Sequence, residues 1–495
     1  MKNITSKLFQ FLSSNSFLLI LYFILVSYVA MHHEVWRDEA DSWLVARDIS
    51  VSGLFQFTRN SGHPSLWYWV LIPFAKLGFP NYTLAVIHIF FATATVYLIL
   101  FHSTLPRYIV VLLIFGYYFF FEYAVVSRNY ALSNFLLFSI ATMYQKRFEK
   151  PILFGFILLL LANCNIYATI LTSGIGLIFF IEIIEQKKYE SKVLTGLSLI
   201  ILGGILCVLQ VLPSDDRQAS PTNSGIFHMI NSMALPLSIV YSFTPGIVSK
   251  RAFFGFLILP IAFIAFYPVK KVFIFFVWVI SIICLFFTLI YMGGHRHAGF
   301  LLLTLIFALW IKPFYQTNSI SEKVYESLSD YSLSFFKEPE KLLQVALTIS
   351  LILSVKFSLQ ESKKEIKYSF SNAKEMSQYI LANGYDDEKY TISTHNPDRG
   401  KTILYFLKNK KTLYYPALDS FGSHMWWNKK MSQAGLLEMD DMVEKTRKEF
   451  SGKDNILFLS DTLLKEDNER YELIYATTSR IEFVKDENFY LYKLK

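Results

Sequence analysis

Over its first two thirds the chain repeats one pattern, long apolar runs broken by short polar stretches. The runs lie near 16–31, 64–78, 82–101, 107–121, 130–145, 151–163, 166–185, 193–212, 253–267, 271–291, 298–312 and 341–357. They are nearly free of charge, which predicts helices apolar on all sides. A helix crossing a bilayer squarely needs roughly 20 such residues, and several runs fall short of that. The run at 64–78 begins with Trp67, Tyr68 and Trp69, and is expected to lie along the interface or to dip in and return. The first run follows Lys2 and Lys7 and precedes no small-residue cleavage site, so it reads as a retained span. From about Gln360 the pattern changes. Stretches at 391–394, 413–415, 455–460, 473–476 and 489–492 predict strands, and those at 371–382, 401–407 and 439–450 predict helices. Two domains are expected: a transmembrane domain at 1–358 and a small α/β domain at 359–495.

Composition agrees. A chain of 495 residues that is 53% hydrophobic and contains 47 Phe cannot hide them in a soluble core. The net charge of +8 is spread over short loops and the tail, a pattern of membrane orientation that argues against a nucleic-acid partner. Cys164, Cys207 and Cys284 sit far apart in apolar runs, with no metal spacing and no disulfide framework. Basic loops around Arg107, Lys146 to Lys150, Lys187 to Lys192, Lys270-Lys271 and Lys312 to Lys341 are expected to be cytoplasmic. If 64–78 does not cross, about eleven crossings remain and these loops alternate consistently. The outer loop 32–63, the turn 122–130, Asn163 to Asn165, the loop 213–250 and the turn 293–297 then share the opposite face. Crossing parity places the C-terminal domain there too, on the extracytoplasmic side of a cell (inner) membrane. Lys250 and Arg251 fit that arrangement less well.

The polar residues of that face are the candidate chemistry. Trp36 to Trp43 packs Arg37, Asp38, Glu39 and Asp41 between two tryptophans. A carboxylate at the water boundary can take a proton from an attacking hydroxyl or amine, and Asp38 and Glu39 are the candidates. The competing reading is an acidic first turn of an interfacial helix. His63, in Gly62-His63-Pro64, suits either a substrate hydrogen bond or a helix cap. Arg128, followed by Asn129 and Tyr130, suits a phosphate, or equally an ion pair with Glu122. Gly293 to His297 offers three potential cations, His295, Arg296 and His297, beside two glycines. An extended backbone would put the two histidines on one face. The aromatic stretch 422–427 reads as a lip over a site or as a rest on lipid headgroups.

In their order, these residues resemble the GT-C glycosyltransferases, the superfamily of protein O-mannosyltransferases and lipid A aminoarabinose transferases. The resemblance rests on Asp38-Glu39 in the first outer loop, Ala46-Arg47-Asp48 downstream, His63 to Trp69, and Ser127-Arg128, and covers roughly residues 15 to 315. The wording is also similar to a bacterial branch of that family. The resemblance implies a GT-C-like helical membrane fold and transfer of a hexosyl or pentosyl group from a polyprenyl-phosphate sugar donor, inverting, to a lipid, glycan or protein acceptor. It implies Asp38 as base, with Glu39 beside it. Arg128 and, by position, His295, Arg296 and His297 are implied for the phosphate, with Arg37, His63 and Tyr130 completing the substrate-binding set. Many members carry a second Asp about five residues past the Ser-Arg arginine; here Ser133 stands there, so no metal and no other cofactor is expected. The competing class is a transporter or lipid-carrier flippase, which would place charges mid-helix along a path.

Overall fold

The computed structural model describes residues 14–217, 239, 241–246, 253–291, 293–317, 338–434, 438–464 and 469–495. Most of the 213–250 loop, with Lys250 and Arg251, lies outside them.

Helix α1 (Asn15–His32) starts where the Ser14 hydroxyl accepts the Phe17 N–H at 3.1 Å. The segment after α1 folds into α2 (Arg37–Asp48) and α3 (Val51–Ser61), which closes on Gly62 at φ 71°. Helix α4 (Leu66–Lys76) has 11 residues. At 1.5 Å per residue it is roughly 16 Å long, about half a bilayer core. It is pinned to the bundle where the Ser65 hydroxyl donates to Gln210 at 2.5 Å, and Gln210 donates to Asn163 at 2.7 Å.

There follow α5 (Thr83–His102), α6 (Arg107–Ile114), α7 (Tyr130–Met143), α8 (Pro151–Ala162), α9 (Ile166–Glu185), α10 (Ser191–Val211), α11 (Phe253–Phe266), α12 (Lys270–Leu289), α13 (His295–Ile311) and α14 (Pro339–Lys367). Among the described residues, seven helices are long and apolar enough to cross a membrane: α1, α5, α9, α10, α12, α13 with its short extension to Phe314, and α14. Their outward faces carry exposed Ile20, Phe23, Phe90, Ile201 and Leu209, the surface of a chain solvated by lipid. Helices α8 and α10 pack backbone to backbone, because a Cβ on Gly155 would collide with the Gly196 carbonyl. Helix α13 is buried along nearly its whole length and forms the bundle's pillar.

The run at 107–121 is not one helix. Helix α6 stops at Ile114 and a π turn follows at Tyr118–Glu122. The Tyr117 N–H donates at 2.9 Å to Ser354 of α14, a side chain inserted into the helical ladder.

The expected domain edge at 358–359 falls inside a helix. Helix α14 continues to Lys367, its polar end supported by a Lys364–Glu361 pair at 2.7 Å. Beyond it lie α15 (Ala373–Ala382), β1 (Thr391–Thr394), α16 (Pro397–Phe406), β2 (Leu413–Tyr415), β3 (Ser420–Gly422), α17 (Lys429–Ala434), α18 (Met439–Glu449), β4 (Ile456–Ser460), β5 (Tyr471–Ala476) and β6 (Tyr490–Leu494). The strands form one sheet in the order β3-β2-β1-β4-β6-β5, with β1 parallel to β2 and β4. Strand β3 was not expected. Three residues at a sheet edge carry no alternation, and β3 shares only Gly422 with the stretch read as a lip.

Candidate functional site

Helix α2 turns by about 100° per residue, so Arg37, Asp38 and Glu39 face three directions. Asp38 faces the bundle. Its Oδ2 takes an ion pair from Arg128, in the turn before α7, and another from Arg296, the second residue of α13, at 3.2 Å. The Arg296 guanidinium also lies 5.1 Å from the centre of the Trp36 ring. Asp38 remains 27% exposed. Burial works to raise its pKa, but Arg128, Arg296 and Lys401 outweigh that and hold the carboxyl well below the usual range.

Glu39 faces the other way and is fully buried. Its Oε1 accepts the Ser127 N–H, while Oε2 accepts the Trp36 N–H at 3.3 Å and pairs with His33 Nε2 at 2.7 Å. His33 Nδ1 in turn meets Glu365, near the end of α14, at 3.1 Å. Burial alone would lower the His33 pKa, but the two glutamates raise it to about 10 and keep the imidazole charged. Both Glu39 oxygens are thus engaged in holding the loop, and neither faces an incoming acceptor. Expected as a proton acceptor beside Asp38, Glu39 is placed instead as a tie between His33, the Trp36 N–H and the Ser127 N–H, one residue before Arg128.

Arg37 also leaves the site. It reaches Asp486 at 2.8 Å and Asp398 at 3.6 Å, both on the C-terminal domain, and its N–H donates to Glu487 at 3.2 Å. Lys401 of α16 is buried between Asp41 and Asp398, at 2.8 Å from each. Burial would lower its pKa, and the two aspartates more than reverse that. The C-terminal domain is therefore docked on α2 by two cation–carboxylate contacts in opposite senses.

The histidines differ from expectation. His63 follows Gly62 and is ringed by charge; burial and the nearby Arg128, Arg296 and Arg217 pull its pKa down to about 4, with Asp38 opposing. It is neutral at pH 7. His297 accepts the Gly294 N–H on Nδ1 at 2.9 Å, so that nitrogen carries no proton, and its ring lies among Tyr167, Tyr291 and Tyr130. His295 stacks on Tyr241 with centroids 3.8 Å apart. Because α13 begins at His295, the two histidines sit about 200° apart around the helix and not on one face. Of the expected trio of cations, Arg296 alone meets Asp38. Tyr130 builds the aromatic wall with Tyr123 and Phe300.

Arg217 was missed from the sequence. Its guanidinium packs over Gly62, where a side chain would crowd it, and it makes no ion pair among the described residues. Nothing in a basic residue after Asp215-Asp216 marks it out. Glu122, the expected partner of Arg128, instead accepts the Tyr117 hydroxyl at 2.5 Å. Among the described residues no group of His, Cys, Asp and Glu is arranged to hold a metal ion. Ser133 is buried and donates to the Tyr130 carbonyl at 2.9 Å.

The arrangement is a partly exposed carboxylate inside an excess of fixed guanidinium charge, at the α2 end of an apolar bundle. Such a cluster can hold an anion and take a proton beside it. No protein-family model matches the chain, and no curated protein matches it.

Proposed function

We propose that the protein is a membrane glycosyltransferase of the GT-C type, with about eleven crossings as the charge pattern of its loops implies. It moves a hexosyl or pentosyl group from a polyprenyl-phosphate donor to an acceptor at the outer face of the cytoplasmic membrane. The observation that carries this reading is Asp38 shared by Arg128 and Arg296, with Arg217 adding further positive charge.

The donor's phosphate and Asp38 compete for the same guanidiniums. As the phosphate takes them, Asp38 loses the partners that depress its pKa and becomes a stronger base. The acceptor hydroxyl then attacks the anomeric carbon from the face opposite the phosphate. The new C–O bond forms as the bond from that carbon to the phosphate oxygen breaks. The electron pair leaves with the phosphate, onto Arg128 and Arg296, and the hydroxyl proton passes to Asp38. Neutral His63 lies within the field of these charges and can offer a hydrogen bond without adding to it.

The test is transfer of label from a panel of radiolabelled polyprenyl-phosphate sugars by purified protein in native membrane extract. Wild type is expected to transfer, and Asp38→Asn to lose about 10²–10⁴-fold, the usual weight of a general base. Equal transfer by both would remove Asp38 as base. No transfer from any donor, with an acceptor known to be present, would overturn the reading.

A further inference from the structure

A groove of about 930 Å³ runs between α1 and α5, and Tyr405 and Phe406 of α16 close it at the α2 end, beside His33 and Val35. It is open where small side chains line it, Ser27 and Ala30 on α1 and Ala85 and Ala94 on α5, since larger ones would fill it. Phe23, Val86 and Phe90 line it as well and stay exposed. Both helices are long and apolar enough to cross a membrane, so hydrocarbon is what meets the groove in a bilayer.

Lipid tails are as apolar as these walls, so occupancy is decided by packing and not by the hydrophobic effect. An empty groove forfeits dispersion contacts along its walls, and a chain laid in it recovers them. The wall runs roughly 18 Å along α1, from Leu19 to Met31, and roughly 22 Å along α5, from Tyr82 to Tyr97. One leaflet of a hydrocarbon core about 30 Å thick is roughly 15 Å deep, so the groove is long enough for one extended acyl chain.

The end of the groove has nothing to hold a phosphate. Among the described residues its wall contains no Lys or Arg. His33 has both ring nitrogens on glutamates, Glu39 and Glu365. Asn81 exchanges hydrogen bonds with Tyr405, at 2.7 Å in each direction. Ser27 and Thr93 add only hydroxyls partway along the two helices. The groove therefore selects a lipid by its chain and not by its headgroup. That sets aside a polyprenyl phosphate and leaves the phospholipid of the bilayer.

We propose that this groove is a phospholipid site, with one acyl chain lying between α1 and α5 and packing against Tyr405 and Phe406. The chain thereby props α16, the helix whose Lys401 reaches Asp41 of α2 at 2.8 Å.

The experiment is native mass spectrometry of the full-length protein released from nanodiscs of phosphatidylethanolamine and phosphatidylglycerol doped with a polyprenyl phosphate. Wild type is expected to keep one phospholipid through a delipidating detergent wash, with the two headgroups in the proportion of the bilayer. Ala85→Leu and Ala94→Leu, which fill the groove at half-buried positions, are expected to keep at least tenfold less. Gly204→Leu adds larger bulk on α10, where a Cβ meets nothing within 4 Å, and is expected to behave as wild type. Thermal unfolding checks that all three variants are folded. No phospholipid kept by wild type, equal retention in the groove-filling variants, or a polyprenyl phosphate kept in its place overturns the proposal. Retention is read without any sugar transfer, so its outcome is separate from that of the transferase reading.

Discussion

The two ends of the helical bundle each carry an arginine against a carboxylate, and they are built on opposite principles. At the far end Arg147, just past α7, meets Glu182 of α9 through Nε and Nη2, both at 2.7 Å. Lys271 sits 2.7 Å from Glu185 and 3.9 Å from Glu182, and the rings of Tyr144 and Tyr315 flank the guanidinium. Two cations face two carboxylates and the pair is shut away, with Glu182 1% exposed. At the α2 end a single Asp38 oxygen serves two guanidiniums, and Arg217, near His63, has no carboxylate partner among the described residues. A structural ion pair is closed and balanced. Among the described residues the Asp38 cluster has more guanidiniums than carboxylates, and on the proposed reading that surplus is what a donor phosphate would use.

The largest expected effect tests this difference directly. Glu182→Ala leaves Arg147 buried and unpaired and is expected to cost about 3–5 kcal/mol of stability. Asp38→Ala is expected to cost less, because Arg296, 24% exposed, keeps access to water and anions, whereas Arg128 is as enclosed as Arg147. Thermal unfolding in detergent compares the two, and added inorganic phosphate is expected to stabilise Asp38→Ala more than Glu182→Ala. Equal losses in both variants, indifferent to phosphate, would mean that the two ends are the same kind of structure.

Function should separate the ends next. Arg296→Ala removes charged hydrogen bonds worth about 1.5–3 kcal/mol each, so donor KM is expected to rise about 10–100-fold. Arg296→Lys restores the charge but not the planar fork and is expected to recover part of the loss. Arg147→Ala, assayed below its lowered unfolding temperature, is expected to keep the wild-type KM.

This contrast also explains what the sequence made legible. Helix bounds were readable because an uncharged apolar run has one structural meaning: 166–185 became α9 with the same ends, and strand 391–394 became β1. The break after Ile114 was not, since it depends on Ser354 arriving from α14. The site was legible to the level of its neighbourhood. Asp38, Arg128 and Arg296 are brought together across three elements, but their neighbours Arg37, Glu39, His295 and His297 are turned to other partners. Helical phase sets those directions, and phase requires a known helix start. His297 reads as a cation until the Gly294 N–H is in place, and the neutrality of His63 depends on the arginines gathered around it. The roles of Lys401 and Glu365 depend on contacts hundreds of residues away, which no local pattern records.

The smallest expected effect concerns how the sheet domain is tied to the site. Glu487 is buried, accepts the Arg37 N–H, and has its pKa raised from 4.5 to about 7, chiefly by burial, with Ser371 and Arg37 opposing. A folded-state pKa above the unfolded one gives stability that is fully present below pH 4.5 and is lost as pH rises through about 7. His33, raised from 6.5 to about 10 against its burial, contributes stability that is full below pH 6.5 and lost as pH rises through 10. The two groups therefore predict separate declines in unfolding temperature. Glu487→Gln is expected to flatten the decline between pH 5 and 7 by a few degrees and to leave the alkaline one intact. His33→Gln is expected to do the reverse. A curve that keeps its slope in Glu487→Gln would mean that the domain's hold on α2 comes from the Arg37 and Lys401 pairs and not from the buried acid beneath them.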